Sequence, residues 1–215
     1  MARRPQRILI WNSLISSICF KTVRFKKKGS GACPVMSSTV SQSDKSDDLW
    51  ISWEDYHRYI EQLAHIIYRS QWSFDTIVCI ARGGLRVGDI LSRIYDKPLA
   101  ILAAQSYGGD TGRDRQDVIF SPSLATTASH LGPQVLLVDD LADSGQTLDQ
   151  ATQWLSLNCG QSLESLRTAT LWCKSCSTVV PDYYVEFLTH NPWIHQPFER
   201  YDNYQRLNSP FITRS

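Results

Sequence analysis

The chain is short of the features that would assign it to a membrane, a secreted scaffold or a nucleic-acid partner. Its first apolar stretch, Ile8 to Phe20, is broken by Asn12, Ser13, Ser16 and Ser17 and is too short to span a bilayer. That stretch has basic flanks but no clear small-residue cleavage site, which makes it a poor targeting signal. The six cysteines are scattered and form no secreted disulfide pattern, so a reducing cytoplasm is expected. Cys173 and Cys176 have a metal-ligand spacing, but no second such pair accompanies them, and no zinc site is expected there. No internal repeat is present. Net charge is also nearly missing, at +1 over 215 residues, but this balance hides an asymmetry. Residues 1–28 carry eight basic residues and no acid, leaving 14 basic against 21 acidic residues in the remainder. A body that is net negative by 7 argues against a nucleic-acid partner.

The first 48 residues differ from the rest. The segment before Met36 reads as upstream sequence, with translation starting at Met36, or as a basic anchor to a membrane or partner. Ser37 to Asp48 reads as a polar, disordered leader. The folded domain is expected over 49–215.

Within that domain, one stretch organises the chain. Val135-Leu-Leu-Val138 reads as a buried strand ending in Asp139-Asp140. A small-residue loop, Asp143-Ser-Gly-Gln-Thr147, follows and opens a helical pattern from Leu148. Such a loop can aim backbone N–H groups and hydroxyls at one point beside a helix N-terminus, where a phosphate is favoured. Carboxylates beside it can hold sugar hydroxyls or a divalent cation. A phosphate, a diol and a metal within one loop's reach point to a phosphorylated ribose.

The other elements follow from periodicity. Tyr56, Tyr59, Ile60, Leu63, Ile66 and Ile67 predict an amphipathic helix over 54–69, opened by a capping-box-like Ser52-Trp-Glu-Asp55. Thr76 to Ala81 is a short apolar run that predicts a strand buried on both faces. Arg82-Gly83-Gly84 ends it, and a helix is expected over 85–95. Further strands are expected at 99–104, 118–120, 166–172 and 183–188, and a helix from 148 to about 158. Residues 106–134 are irregular, polar and glycine-rich, as functional or disordered loops are. Strands alternating with helices predict an α/β fold with a doubly wound, mainly parallel sheet and a small C-terminal hood. Its site should lie at the strands' C-terminal ends.

The run Val135–Thr147 resembles the signature of type I phosphoribosyltransferases. Asp143 resembles the carboxylate of the 6-oxopurine enzymes of that family. Ile51-Ser-Trp-Glu, Ala81-Arg-Gly-Gly-Leu85, Ser106-Tyr107, Leu171-Trp-Cys-Lys174 and Trp193-Ile-His-Gln-Pro197 occur in the order seen in bacterial xanthine-guanine and hypoxanthine phosphoribosyltransferases. The resemblance covers roughly residues 50–200. It implies transfer of the phosphoribosyl group of phosphoribosyl pyrophosphate to a purine base, with release of pyrophosphate, in purine salvage. It also implies a homo-oligomer.

The resemblance carries over residue by residue. Asp143 would be the general acid/base at the purine N7, although an Asp there also suits a helix N-cap. Asp139 and Asp140 would hold the ribose diol, directly or through Mg²⁺, with the metal assigned to Asp140. Ser144, Gly145, Gln146 and Thr147 would cradle the 5′-phosphate. Arg82 and Gly83 would grip the pyrophosphate, and Arg113 and Arg115 are either a lid over it or exposed loop residues. Lys174 would donate to a 6-oxo group, or be a surface lysine at a strand end. Trp193 would stack on the base beside Ile194, or be core packing. His195 stands where the xanthine-guanine enzymes carry an acid, leaving the choice among hypoxanthine, guanine and xanthine open. The rival reading is a non-catalytic sensor of phosphoribosyl pyrophosphate or nucleotide on the same fold.

Overall fold

The computed structural model describes residues 48–106, 118–160 and 162–202. All of the 1–48 leader except Asp48, which pairs with His195, and the two lid candidates Arg113 and Arg115 lie outside these residues.

Ser52 starts the first helix, α1 (Trp53–Arg69), by accepting from the Asp55 backbone N–H at 3.0 Å. Asp55 is one methylene shorter than the usual Glu. Its carboxylate accepts from the Ser52 hydroxyl at 2.6 Å, a variant of the expected capping box. The apolar face of α1 buries Tyr56, Ile60, Leu63, Ala64 and Ile67. Two-residue β1 (Leu49–Trp50) precedes it, and β2 (Thr76–Ala81) and α2 (Leu85–Tyr95) follow. Next come β3 (Leu99–Ser106), β4 (Val118–Phe120), β5 (Ala125–Thr126), β6 (Gln134–Val138), β7 (Leu141–Ala142) and α3 (Gln146–Cys159). The chain then runs through β8 (Ser165–Lys174), β9 (Tyr183–Leu188), β10 (Ile194–His195) and a 3-10 turn at Glu199–Tyr201.

The main sheet has the order β4-β3-β2-β6-β8, with β9 along the far edge of β8. Strands β3, β2, β6, β8 and β9 are mutually parallel; β4 and β5 pair antiparallel with β3. After the Asp139-Asp140 step the strand resumes as β7 in the same register, with Val138 opposite Ala169 and Leu141 opposite Trp172. The buried strands send alternate residues to opposite faces, as period-2 geometry requires. Ile77, Leu136 and Val138 pack with α1 and α2, whereas Val78, Val135 and Leu137 pack with α3. The sheet is thus covered on both faces, as a doubly wound fold requires.

The chain leaves β2 for β3 on one side and later inserts β6 on the other side of β2. That reversal is a topological switch point, where the ends of neighbouring strands diverge into a crevice. The residues at the crevice are Arg82-Gly83-Gly84 after β2 and Asp139-Asp140 after β6. A separate parallel pair, β1 with β10, sets Leu49 opposite Ile194 and Trp50 opposite His195. Among the described residues no helix is long and apolar enough to cross a membrane.

Candidate active site

The acidic end of β6 is held by its neighbour. The Asp139 N–H donates to Ala169 O at 3.1 Å, and the Leu171 N–H donates to Asp140 O at 2.9 Å. The Asp139 side chain is buried, and its Oδ1 accepts from the Asp140 N–H at 3.0 Å. Burial, then the charge of Asp140, holds the Asp139 carboxyl well above the usual carboxylate range. Burial raises Asp140 too, against the opposing pull of a hydrogen bond from Gln196.

The turn after β2 presses on this pair. Gly84 donates to Ile80 O at 2.9 Å, and the Ala81–Arg82 peptide bond is cis. A Cβ at Gly84 would lie 2.5 Å from Val138 O and 3.0 Å from Asp139 Cα. At Gly83 it would lie 2.4 Å from Asp140 Oδ1. At Gly84 the conflict is with strand backbone, so glycine is required for the loop to touch β6, whereas at Gly83 it is with the Asp140 side chain. Arg82 is exposed at the rim.

The next loop ends at Gly145, which caps α3 at φ 80°, a left-handed backbone that favours glycine. Asp143 is therefore not the helix cap. Ser144 Oγ accepts from the Gln146 N–H at 3.3 Å. The segment after β8 backs the loop: the Thr178 N–H and hydroxyl both donate to Ser144 O, at 2.9 Å and 3.0 Å. A Cβ on Gly145 would meet Ser177 Oγ at 2.5 Å. Asp143, Ser144, Gly145 and Thr147 line a cavity of about 60 Å³ at the N-terminus of α3, where aligned peptide dipoles favour an anion.

Lys174 ends β8 and points at this loop. Its Nζ lies 3.1 Å from Asp143 Oδ1, with Lys174 buried and the Asp143 side chain 57% exposed. Lys174 is not a surface lysine, although it stands at a strand end. Cys176 Sγ approaches Asp143 O at 3.5 Å.

The hood segment sets Ile194 and Trp193 in different surroundings. Ile194 is buried in the core cluster under α1, and Trp193 is 63% exposed, so it is not core packing. Trp193 lines a groove of about 810 Å³ with Trp50, Trp53, His195, Gln196 and Arg200. That groove does not include Asp143 or Lys174. His195 stacks on Trp50, with ring centroids 3.7 Å apart. Its Nε2 lies 3.0 Å from Asp48 Oδ2, and its Nδ1 lies 3.9 Å from Glu199 Oε2. Gln196 joins the groove to the sheet: its Nε2 donates to Asp140 Oδ2 at 2.5 Å. Tyr56 Oη is buried with no hydrogen-bond partner among the described residues, and burial, then the charge of Asp140, raises its hydroxyl pKa.

The fold thus gathers Gly83, Asp139 and Asp140 into one contact set. It gathers Asp143, Ser144, Gly145, Thr147 and Lys174 into a second, and Trp193 into a groove that Gln196 links to Asp140. Gln196 and Tyr56 are the neighbours of Asp140 that residue patterns miss. Tyr56 has the spacing of a core helix position, and Gln196 carries no charge to mark it. Two adjacent carboxylates without a Cys or His beside them suit a hard, oxygen-seeking cation such as Mg²⁺. Among the described residues no group of three or more His, Cys, Asp or Glu could cage a metal by itself. The donor set therefore fits a cation that takes its remaining ligands from water or from a phosphorylated substrate.

Residues 52–203 match the phosphoribosyl transferase domain. The chain is 27% identical over 158 residues to the xanthine-guanine phosphoribosyltransferase of Idiomarina loihiensis, covering 73% of this chain and 90% of that protein. It is 27% identical over 150 residues to the enzyme of the same name from Gluconobacter oxydans, covering 69% and 83%. The solved purine phosphoribosyltransferase from Pyrococcus horikoshii superposes with a TM-score of 0.58 at 28% identity, covering 71% of this chain and 93% of that one.

Proposed function

This chain belongs to the phosphoribosyl transferase domain family, and from that premise we propose that it is a 6-oxopurine phosphoribosyltransferase. It joins xanthine, guanine or hypoxanthine to phosphoribosyl pyrophosphate, forming a nucleoside monophosphate and pyrophosphate in purine salvage. The observation that carries this reading is the pair Lys174–Asp143, 3.1 Å apart beside the cavity at the N-terminus of α3. A phosphate site alone would serve any phosphorylated ligand. A cation and a carboxylate at its mouth supply a donor for a 6-oxo group and an acceptor for the proton on a purine nitrogen. An adenine 6-amino group offers a donor to Lys174, which has no acceptor, so the pair selects against it. The purine-directed names of the relatives agree with this choice.

The chemistry is a displacement at the ribose C1′, where the sugar develops oxocarbenium character. The chain's contribution is mostly positioning and charge. Ser144, Gly145, Gln146 and Thr147 hold the 5′-phosphate with hydroxyls and N–H groups. Arg82 and Gly83 hold the pyrophosphate, and Asp139 and Asp140 hold the ribose diol. Asp140 would hold Mg²⁺, which when bound would supply charge neutralisation for the pyrophosphate leaving group. Asp143 takes the purine proton, and Lys174 holds the 6-oxo group. Trp193 stacks on the base from the groove side, with its neighbour Ile194 anchoring β10 in the core. The cytoplasm, where thiols stay reduced, suits Cys79, Cys159, Cys173 and Cys176, all free.

The test is a panel of purine and pyrimidine bases incubated with phosphoribosyl pyrophosphate and Mg²⁺, with pyrophosphate release as the readout. Release with 6-oxopurines and not with adenine or uracil is the expected result. Binding of phosphoribosyl pyrophosphate without release from any base would refute the enzyme reading and leave a sensor.

A further inference from the structure

We propose that Gln196 is a positioning residue for phosphoribosyl pyrophosphate, acting through Asp140; the proposal rests on the transferase reading given above. Three observations converge on it. First, Gln196 is 9% exposed, although it lies in a short irregular segment two residues after β10 begins. Second, its Nε2 donates to Asp140 Oδ2 at 2.5 Å, while Gly83 packs so close to the other oxygen that a Cβ there would sit 2.4 Å from it. The carboxylate is thus held by an amide donor on one oxygen, and the missing side chain of Gly83 leaves room for the other. Third, Gln196 Oε1 is buried with no partner among the described residues. Flipping the amide would set two acceptors against each other, so the donating orientation is fixed. The free Oε1 is then a buried acceptor, which is costly unless an O–H donor arrives. The sugar end of the substrate carries such donors.

A glutamine that only filled space would not need this bond. Here the side chain spans two parts of the site, lining the groove with Trp193 and reaching the acidic end of β6. A neutral donor is also what Asp140 requires. A lysine or arginine in its place would neutralise the carboxylate and compete for the cation or the diol, whereas an amide orients it and leaves its charge.

The experiment is a double-mutant cycle on the full chain. Gln196→Met keeps length and apolar bulk but cannot donate, and Gln196→Ala is the second variant. Each is made alone and in combination with Asp140→Ala. The readouts are the dissociation constant for phosphoribosyl pyrophosphate by calorimetry with Mg²⁺ and no base, the KM for the base, and the melting temperature. Loss of a charge-assisted hydrogen bond predicts weakening of phosphoribosyl pyrophosphate binding by about tenfold or more in Gln196→Met. Base KM and melting temperature are expected to stay near wild type. In the Asp140→Ala background the Gln196 substitutions should cost clearly less than they do alone, because the bond to Asp140 is already gone and only the acceptor Oε1 is left to lose. Three results would overturn the proposal: unchanged binding in Gln196→Met, losses that add in full to that of Asp140→Ala, or a parallel collapse of base KM and melting temperature. Wild-type protein that does not bind phosphoribosyl pyrophosphate would overturn it as well. Wild-type protein that binds it but releases no pyrophosphate would sink the transferase reading alone, and the binding cycle would still decide the role of Gln196.

Discussion

Replacing Gly84 by alanine sets two effects of opposite sign against each other. Gly84 has φ −69° and ψ −10°, a right-handed conformation open to any residue. Backbone entropy alone therefore predicts that Gly84→Ala stabilises the protein by about 0.4–1 kcal/mol. The tertiary geometry predicts the reverse. The new Cβ would sit 2.5 Å from Val138 O, 2.9 Å from Ile80 O and 3.0 Å from Asp139 Cα, all of them backbone atoms in or beside buried strands. No side chain can rotate to relieve these contacts. To restore ordinary contact with Val138 O the loop must lift by about 0.9 Å, from 2.5 Å to about 3.4 Å. Overpacking of this kind costs about 1–3 kcal/mol, which exceeds the entropic gain. The net expectation is a loss of about 1–2 kcal/mol, or roughly 2–8 °C in melting temperature for a domain of this size.

The same lift moves Arg82 and Gly83 away from Asp140. A misplacement near 1 Å costs up to about a hundredfold in rate, so kcat/KM for phosphoribosyl pyrophosphate should fall with stability. Gly83→Ala is the control. The three atoms nearest to its Cβ would all belong to the Asp140 side chain, which can rotate away, so binding should weaken with little change in melting temperature. Thermal unfolding and steady-state kinetics on both variants decide the matter. A Gly84→Ala protein as stable as wild type, or more stable, would refute the close approach of the two loops.

Asp143→Asn should cut turnover severely while leaving phosphoribosyl pyrophosphate binding largely intact; near-normal turnover would remove Asp143 from its proposed role. Lys174→Ala should raise the KM for the purine more than that for phosphoribosyl pyrophosphate, and equal losses in steady-state kinetics would count against its assignment to the base. Asp139→Asn should stabilise the protein in the absence of divalent cations while abolishing activity. The folded-state pKa of Asp139 is raised, so the stability it contributes is complete below the unfolded carboxylate pKa and is lost as pH rises through the folded one. The gain in melting temperature over wild type should therefore widen from about pH 4 upward, and a gain that shrinks with rising pH would contradict the burial of this charge.

Much of the fold is legible because hydrophobic period and punctuation agree. Thr76–Ala81 is a continuous apolar run closed by Arg-Gly-Gly, and the strand has those bounds. The helix Leu85–Tyr95 and the strands Val118–Phe120 and Tyr183–Leu188 likewise fall where the pattern predicts them. The errors are local and have physical causes. Helix α3 begins at Gln146, before Leu148, because its first turn faces the cavity with polar residues rather than the core. Strand β8 continues past Trp172 to Lys174 because the lysine is buried against Asp143, and a burial that depends on a partner distant in sequence leaves no periodic trace. The two-residue strands β1, β5, β7 and β10 are too short to show any period.

The site divides along the same line. Asp139 to Thr147 could be read because strand, carboxylates, small residues and helix follow one another within a single loop, so local chemistry and local geometry coincide. The partners of that loop come from elsewhere and are fixed by the fold. Ser177 and Thr178 support Ser144 and Gly145 because β8 runs parallel to β6, continues past its end and finishes beside β7, with Ala142 opposite Cys173. Gln196 reaches Asp140 from a segment that the pairing of β1 with β10 brings over the end of the sheet. His195 departs from the acid of the resembling enzymes and leaves the choice of base open. Its ring is instead engaged by Trp50, Asp48 and Glu199, so the chemistry of that departure lies toward the N-terminal side of the groove. The neutral residue next to it, Gln196, is the one in contact with the acidic end of the site. Charge marks candidate residues in a sequence, but the orientation of a buried carboxylate is set by uncharged donors, and these become visible only when the hydrogen bonds are counted.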